Sequence, residues 1–163
     1  MYTLFLLPLL FHFAGALLNV TVDDTDSSII YRGAWDPRTA HLSGLDYGGS
    51  HRLSTNPAAN ATFAFSGIAV YYLASRWPYA VSTQLSLDGG PGVTVNLTDP
   101  LATPFPGGSE SAMYSVAWSA TGLANTSHTL FLSMSSGGKF IVVDGFMYAA
   151  HPLLLPVCIR RSQ

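Results

Sequence analysis

Two large aromatic rings flank a proline at Trp77-Pro78-Tyr79, directly after Arg76. Pro78 has no amide donor and resists a central-strand position, so the segment reads as a loop or a sheet edge. Rings displayed there stack on apolar faces of sugars, and a neighbouring guanidinium adds planar hydrogen bonds to hydroxyls. The same rings turned inward would close one end of a core, the commoner place for tryptophan. Trp35 lies just past Gly33, and Tyr72 follows Tyr71 in a strand-like run, so the two tyrosines face opposite sides. The ligand-binding candidates are therefore Trp35, Tyr72, Arg76, Trp77 and Tyr79.

A second group is acidic. Asp23, Asp24 and Asp26 crowd one turn, and with Asp144 they offer the oxygen ligands that suit a structural calcium ion. Their spacing fits no EF-hand loop, and Asx-turns account for the same residues without an ion. No other cofactor is called for. Catalytic constellations are missing. His41 and His51 stand ten apart, a weak metal spacing, and Glu110 is the only glutamate. Hydrolysis by paired carboxylates would need an aspartate folded against Glu110. There is no phosphate-cradling glycine loop and no dinucleotide fingerprint.

Charge and composition narrow the classes further. Lys and Arg number 7 against 9 Asp and Glu, and Arg160 and Arg161 fall in the final residues. A phosphate-binding surface would need the opposite balance, which excludes nucleic acid as a partner. The 163 residues fit one domain. Glycine (15) and proline (10) are frequent while charged residues make up only 10%, a mixture that suits short strands and tight turns over surface helices.

The chain starts with an apolar run that ends in Ala14-Gly15-Ala16, the pattern of a secretory signal cleaved after residue 16. No basic residue precedes that run, but Pro8 and His12 interrupt it, and it is shorter than a membrane-spanning helix requires. No transmembrane helix is expected after cleavage. Asn19, Asn60, Asn96 and Asn125 each begin an N-x-S/T sequon, in keeping with a secreted, glycosylated surface. Cys158 is the only cysteine, so the core must hold without an intrachain disulfide.

The elements that position these residues read as strands. Residues 17–22 and 29–31 open the series, and 39–60 reads as loops or one weak strand. Residues 61–65 and 68–73 are strong β runs separated by a turn or bulge at Ser66-Gly67. In 81–87, Val81, Thr83, Leu85 and Leu87 share one face, the period of a strand with one side on a core. Residues 93–97, 115–120, 129–134 and a single last strand over 140–148 complete eight or nine strands, joined by turns at Asp88-Gly89-Gly90 and Ser136-Gly137-Gly138. That spacing predicts an all-β, two-sheet sandwich over 17–149, followed by a short tail at 150–163.

The segments Val22-Asp-Asp-Thr-Asp, Ile30-Tyr-Arg-Gly-Ala-Trp, Phe65-Ser-Gly-Ile-Ala-Val-Tyr-Tyr, Leu87-Asp-Gly, Leu123-Ala-Asn-Thr-Ser-His-Thr-Leu and Val143-Asp-Gly-Phe-Met-Tyr together resemble the extracellular domains of basidiomycete fungal membrane and secreted proteins. Those domains relate to the galactose-binding-like jelly-roll superfamily. The resemblance covers nearly all of 17–149, with one departure: the glycine expected just before His128-Thr129-Leu130 is displaced to Gly122. It implies a jelly roll used for carbohydrate or cell-surface adhesion, sometimes with a structural calcium ion. The longer fungal relatives add a second such domain and a membrane helix, so this chain is expected to be either a short secreted form or an incomplete gene product. Shared fold does not transmit a ligand, and three functions compete. They are a non-catalytic module that binds extracellular glycans, an adhesion domain acting through protein contacts or self-association, and a small glycan-acting hydrolase.

Overall fold

The computed structural model describes residues 16–150. The expected signal segment 1–16 and tail 150–163 lie outside them, apart from Ala16 and Ala150. Nine strands are present: β1 (Leu18–Asp23), β2 (Ile29–Arg32), β3 (Arg52–Ser54), β4 (Asn60–Arg76), β5 (Ser82–Leu87), β6 (Val93–Asn96), β7 (Ala112–Met134), β8 (Ile141–Val143) and β9 (Gly145–Ala150). All ladders between them are antiparallel. Seven strands share one sheet in the order β1-β9-β4-β7-β5-β6, with β2 also on β4, while β3 and β8 pair in a second sheet. The architecture is an all-β, two-sheet antiparallel sandwich of the jelly-roll kind.

The long strands β4 and β7 organise the sandwich. β4 is one continuous strand where the sequence suggested two, and its register on β7 slips between Gly67 and Ala69. A side chain at Gly67 would run into the carbonyl oxygen of Ala149 on β9, so only glycine permits this approach. On β7 the slip skips from Thr121 to Thr126, which bulges Gly122 to Asn125 outward and joins the two expected strands 115–120 and 129–134 into one. Inward residues fill the core, where Phe63 stacks on Phe146 at 4.5 Å between ring centroids, and Tyr72 sits 5.9 Å from Phe146. Val81, Thr83 and Leu85 are buried, as the alternation of 81–87 requires.

The expected single strand over 140–148 is two strands in different sheets. Asp144 stands at the break between β8 and β9. Its buried carboxylate accepts the Tyr47 amide at 2.9 Å. A polar residue tied to an outside segment cannot sit in a regular ladder, so the chain changes sheet there.

The turn after β5 is pinned to β7 by charge. Asp88 Oδ1 accepts the Thr129 amide at 2.8 Å, and its Oδ2 lies 2.7 Å from His128 Nδ1. His128 Nε2 lies 2.8 Å from the Ala124 carbonyl. With acceptors at both ring nitrogens, the Ala124 carbonyl first and then Asp88 hold the His128 pKa above its ordinary value. The His128 bond, then the Thr129 amide, hold Asp88 below its own. The histidine's contribution is present below the ordinary histidine range and is lost as pH rises through the raised value. The aspartate's is present above the ordinary carboxylate range and is lost as pH falls through the lowered value. The pair therefore works between about pH 4 and pH 6.5. Asp88→Asn, which keeps an acceptor for Thr129, is expected to destabilise by about 1 kcal/mol at pH 5.5 and by less at pH 8, because solvent screens the half-exposed carboxylate. Urea melts at the two pH values check this; an equal loss at both would show that the charge plays no part.

Candidate functional site

The segment between β2 and β3, expected to be mostly loop, is organised by polar side chains. Short 3-10 turns at Arg38–Ala40 and Tyr47–Gly49, with a bridge between Leu42 and Ser50, fold it back on itself. This stacks His41 on His51, ring centroids 4.9 Å apart. His41 Nε2 meets Asp36 Oδ2 at 3.0 Å. His51 is 2% exposed and its Nδ1 lies 2.8 Å from Asp46 Oδ2. Ser75 Oγ holds the other oxygen of Asp46 at 2.9 Å.

A distant loop supplies the third member. Between β6 and β7, Ser111 donates its amide to the Arg76 carbonyl at 2.7 Å and its hydroxyl to Asp99 at 2.8 Å. Those bonds set Glu110 inward, with Oε1 3.2 Å from His51 Nδ1. Ligand atoms of Asp46, His51 and Glu110 all lie within 4.8 Å of one another, so the cluster is able to hold a metal ion. The Trp77 indole packs at nearly a right angle to His51, 5.5 Å between centroids.

This cluster forms one wall of a cleft. A cavity of about 410 Å³ is lined by Asp36, His41, His51, Trp77, Tyr79, Glu110 and Phe140, among others. A second, also about 410 Å³, is lined by Tyr79, Ser82, Gly107, Ser136, Lys139 and Phe140. Tyr79, Gly107 and Phe140 belong to both, so the two adjoin across the Tyr79–Phe140 pair, whose rings meet edge to face at 5.9 Å. Burial, then the Glu110 carboxylate, push the Tyr79 phenol pKa up, which keeps its hydroxyl a neutral donor. The cleft thus offers two aromatic rings in the middle with polar groups at both ends, the composition of a small-ligand site.

The aromatic candidates separate by burial. Tyr79 lines the cleft, half-buried. Trp77 also lines it, but at 2% exposure its ring packs into the core and leaves no face open for stacking. Tyr72 is fully buried, its hydroxyl donating to the Val142 carbonyl at 2.8 Å. Trp35 lies apart from both cavities, with its indole N–H on the Arg32 carbonyl at 3.0 Å and its ring against Tyr31. Arg76 faces the Asn96 and Thr98 carbonyls, each at 3.5 Å. The sequence does not mark Phe140, Lys139 or Glu110 as ligand groups, since no local pattern tells that these positions meet at one cleft.

The aspartates also divide. Asp26 is exposed and accepts the Ser28 amide at 2.8 Å, an Asx-turn. Asp23, Asp24 and Asp144 join a buried acidic layer that continues towards Asp46. Ser50 bonds Asp24 at 3.1 Å, and Arg38 and Arg52 approach it at 4.0 and 3.8 Å. Burial, then Asp23, raise the Asp24 pKa to about 6. Burial, then Asp46, raise that of Asp144 to about 9. Asp23 Oδ1, Asp24 Oδ2 and Asp144 Oδ2 are buried without a hydrogen-bond partner among the described residues, whereas the ligand atoms that converge within 4.8 Å are those of Asp46, His51 and Glu110. Asn19, Asn96 and Asn125 are exposed, and Asn60 is half-buried.

No protein-family model matches the chain, and no curated protein matches it. Solved structures do. A family 35 carbohydrate-binding module from Clostridium thermocellum superposes with a TM-score of 0.52 and 14% identity, covering 80% of this chain and 98% of its own. A second module of the same family, from the Abf62 protein of Cellvibrio japonicus, gives 0.53 and 14% over 80% and 91%. An exo-beta-1,3-galactanase from Phanerochaete chrysosporium, solved with galactose, gives 0.51 and 12% over 80% of this chain. Only 29% of that galactanase is covered, and 34% of a family two carbohydrate esterase from Cellvibrio japonicus. The chain therefore spans about a third of those enzymes and nearly the whole of the binding modules. At such identities the likeness shows the fold: a jelly roll related to carbohydrate-binding modules and to domains of carbohydrate-active enzymes.

Proposed function

We propose that this protein is a non-catalytic extracellular module that binds a carbohydrate in the cleft across Tyr79 and Phe140. The observation that carries the reading is the pair of adjoining cavities sharing those two rings. The two rings supply apolar surface for a sugar, while Lys139 and Ser136 at one end and Asp36 and His41 at the other suit its hydroxyls. The match along nearly the full length of two carbohydrate-binding modules supports it. Secretion belongs to the same proposal, supported by exposed sequon side chains at Asn19, Asn96 and Asn125.

The test starts from protein exported by a eukaryotic host, whose mass should drop on enzymatic deglycosylation. A glycan array, followed by calorimetric titration of the best sugar, is expected to give binding that weakens at least about tenfold in Tyr79→Ala, roughly 1.4 kcal/mol. No sugar bound at millimolar concentration, or unchanged affinity in Tyr79→Ala, would overturn the assignment to this cleft.

A second reading, adhesion through protein contacts, is favoured by the first half of β7. There, among the described residues, β4 is the one ladder partner, and Met113 and Val116 are exposed at 60% and 49%. Sedimentation of the same protein separates the two, since adhesion by self-association predicts dimers at micromolar concentration without sugar.

A further inference from the structure

We propose that Asp46, His51 and Glu110 bind a divalent cation of the zinc class, with an open coordination position towards the cleft. The first argument is proton count. Asp46 Oδ2 and Glu110 Oε1 converge on a single ring nitrogen, His51 Nδ1, at 2.8 and 3.2 Å. That nitrogen carries one proton and satisfies one carboxylate well; the other is left facing it at 7% exposure. Two buried carboxylates around one imidazole therefore carry excess negative charge. The nearby guanidiniums of Arg38 and Arg52 approach Asp24, not this cluster. A dication placed among the three atoms balances the charge and replaces the single proton.

The second argument is the rest of the histidine. His51 Nε2 is buried and has no hydrogen-bond partner. A structural histidine as deeply buried as this one ordinarily uses both nitrogens. Here, among the described residues, all polar contact of the ring is gathered at Nδ1, where the two carboxylates meet, and Nε2 carries the ring proton once Nδ1 ligates.

The donor set then selects the ion. One imidazole nitrogen and two carboxylate oxygens suit zinc-class ions, which bind such atoms at about 2.0–2.2 Å. Calcium takes six to eight oxygens at about 2.3–2.6 Å, and an imidazole in a three-residue cluster does not provide them. Three protein ligands leave a fourth position, and the roughly 410 Å³ cavity lined by His51 and Glu110 has room for a water or a ligand oxygen there. The inference does not depend on the carbohydrate reading.

The experiment uses the full chain stripped with chelator. Zinc chloride and calcium chloride are titrated separately by calorimetry, and cobalt(II) is added as a spectroscopic stand-in for zinc. The expected result is one zinc per chain at micromolar or tighter affinity and a visible cobalt absorption displaced by zinc. Glu110→Gln, which keeps the side-chain shape, should weaken zinc at least about 100-fold while leaving the circular dichroism unchanged. His51→Gln should do the same and abolish the cobalt band. Zinc affinity no better than millimolar would overturn the proposal. So would wild-type affinity in both variants, or calcium binding that is as tight as zinc and lost in the same variants.

Discussion

Asp144→Ala is expected to destabilise the domain by about 2 kcal/mol, whereas Asp144→Asn should cost under about 1 kcal/mol. The carboxyl is fully buried and accepts the Tyr47 amide, from a separate segment, at 2.9 Å. Alanine leaves that part-buried amide without its acceptor, a loss of about 1–3 kcal/mol, partly offset by removal of an acid that burial disfavours. Asparagine keeps the accepting oxygen. Chemical denaturation of both variants measures the difference. Equal losses would mean that the Tyr47 amide finds another acceptor.

Phe146→Ala is the other large expected effect, about 3–5 kcal/mol. Phe146 is fully buried between Phe63, stacked at 4.5 Å, and Tyr72 at 5.9 Å. It lies on β9, two residues past the sheet change, so its ring ties that strand to the middle of β4. Removing it opens a cavity between rings that β-ladders hold in place and that cannot collapse inward. Phe146→Leu, which retains most of the volume, should lose less than half as much. A thermal melt showing under 1 kcal/mol for the alanine variant would mean that the core repacks around the gap.

These two residues sit side by side, yet they differ in how far sequence alone exposes their roles. Phe146 belongs to an apolar run whose strand character is plain from 140–148. Asp144 within that run looks like a turn or bulge residue, and its amide partner, Tyr47, is 97 residues away. The single strand therefore splits in a way that local pattern does not reveal. The 39–60 segment shows the same limit. Its order comes from Asp46, Ser50 and His51 bonding into the core, and a polar network has no period for a pattern to detect.

Local regularities determined the fold class. Alternation in 81–87, β-branched and aromatic runs in 61–73, Asp-Gly-Gly and Ser-Gly-Gly turns, and the want of any capped helical period all point to an antiparallel β-sandwich. Each is a short-range property, because side chains alternate every two residues along a strand. The aspartate-rich turn at 23–26 was equally legible, with its choice between a cation site and an Asx-turn. Tertiary structure alone decided that Asp26 takes the turn while Asp24 is drawn inside, and that Trp77 faces the core while Tyr79 faces the cleft. It alone joined His51 to Glu110, 59 residues further along, since their meeting depends on two loops anchored at Ser75 and Arg76 on one strand. Strand patterns say which residues share a face; which loops meet at the end of a sandwich follows from how its strands are ordered.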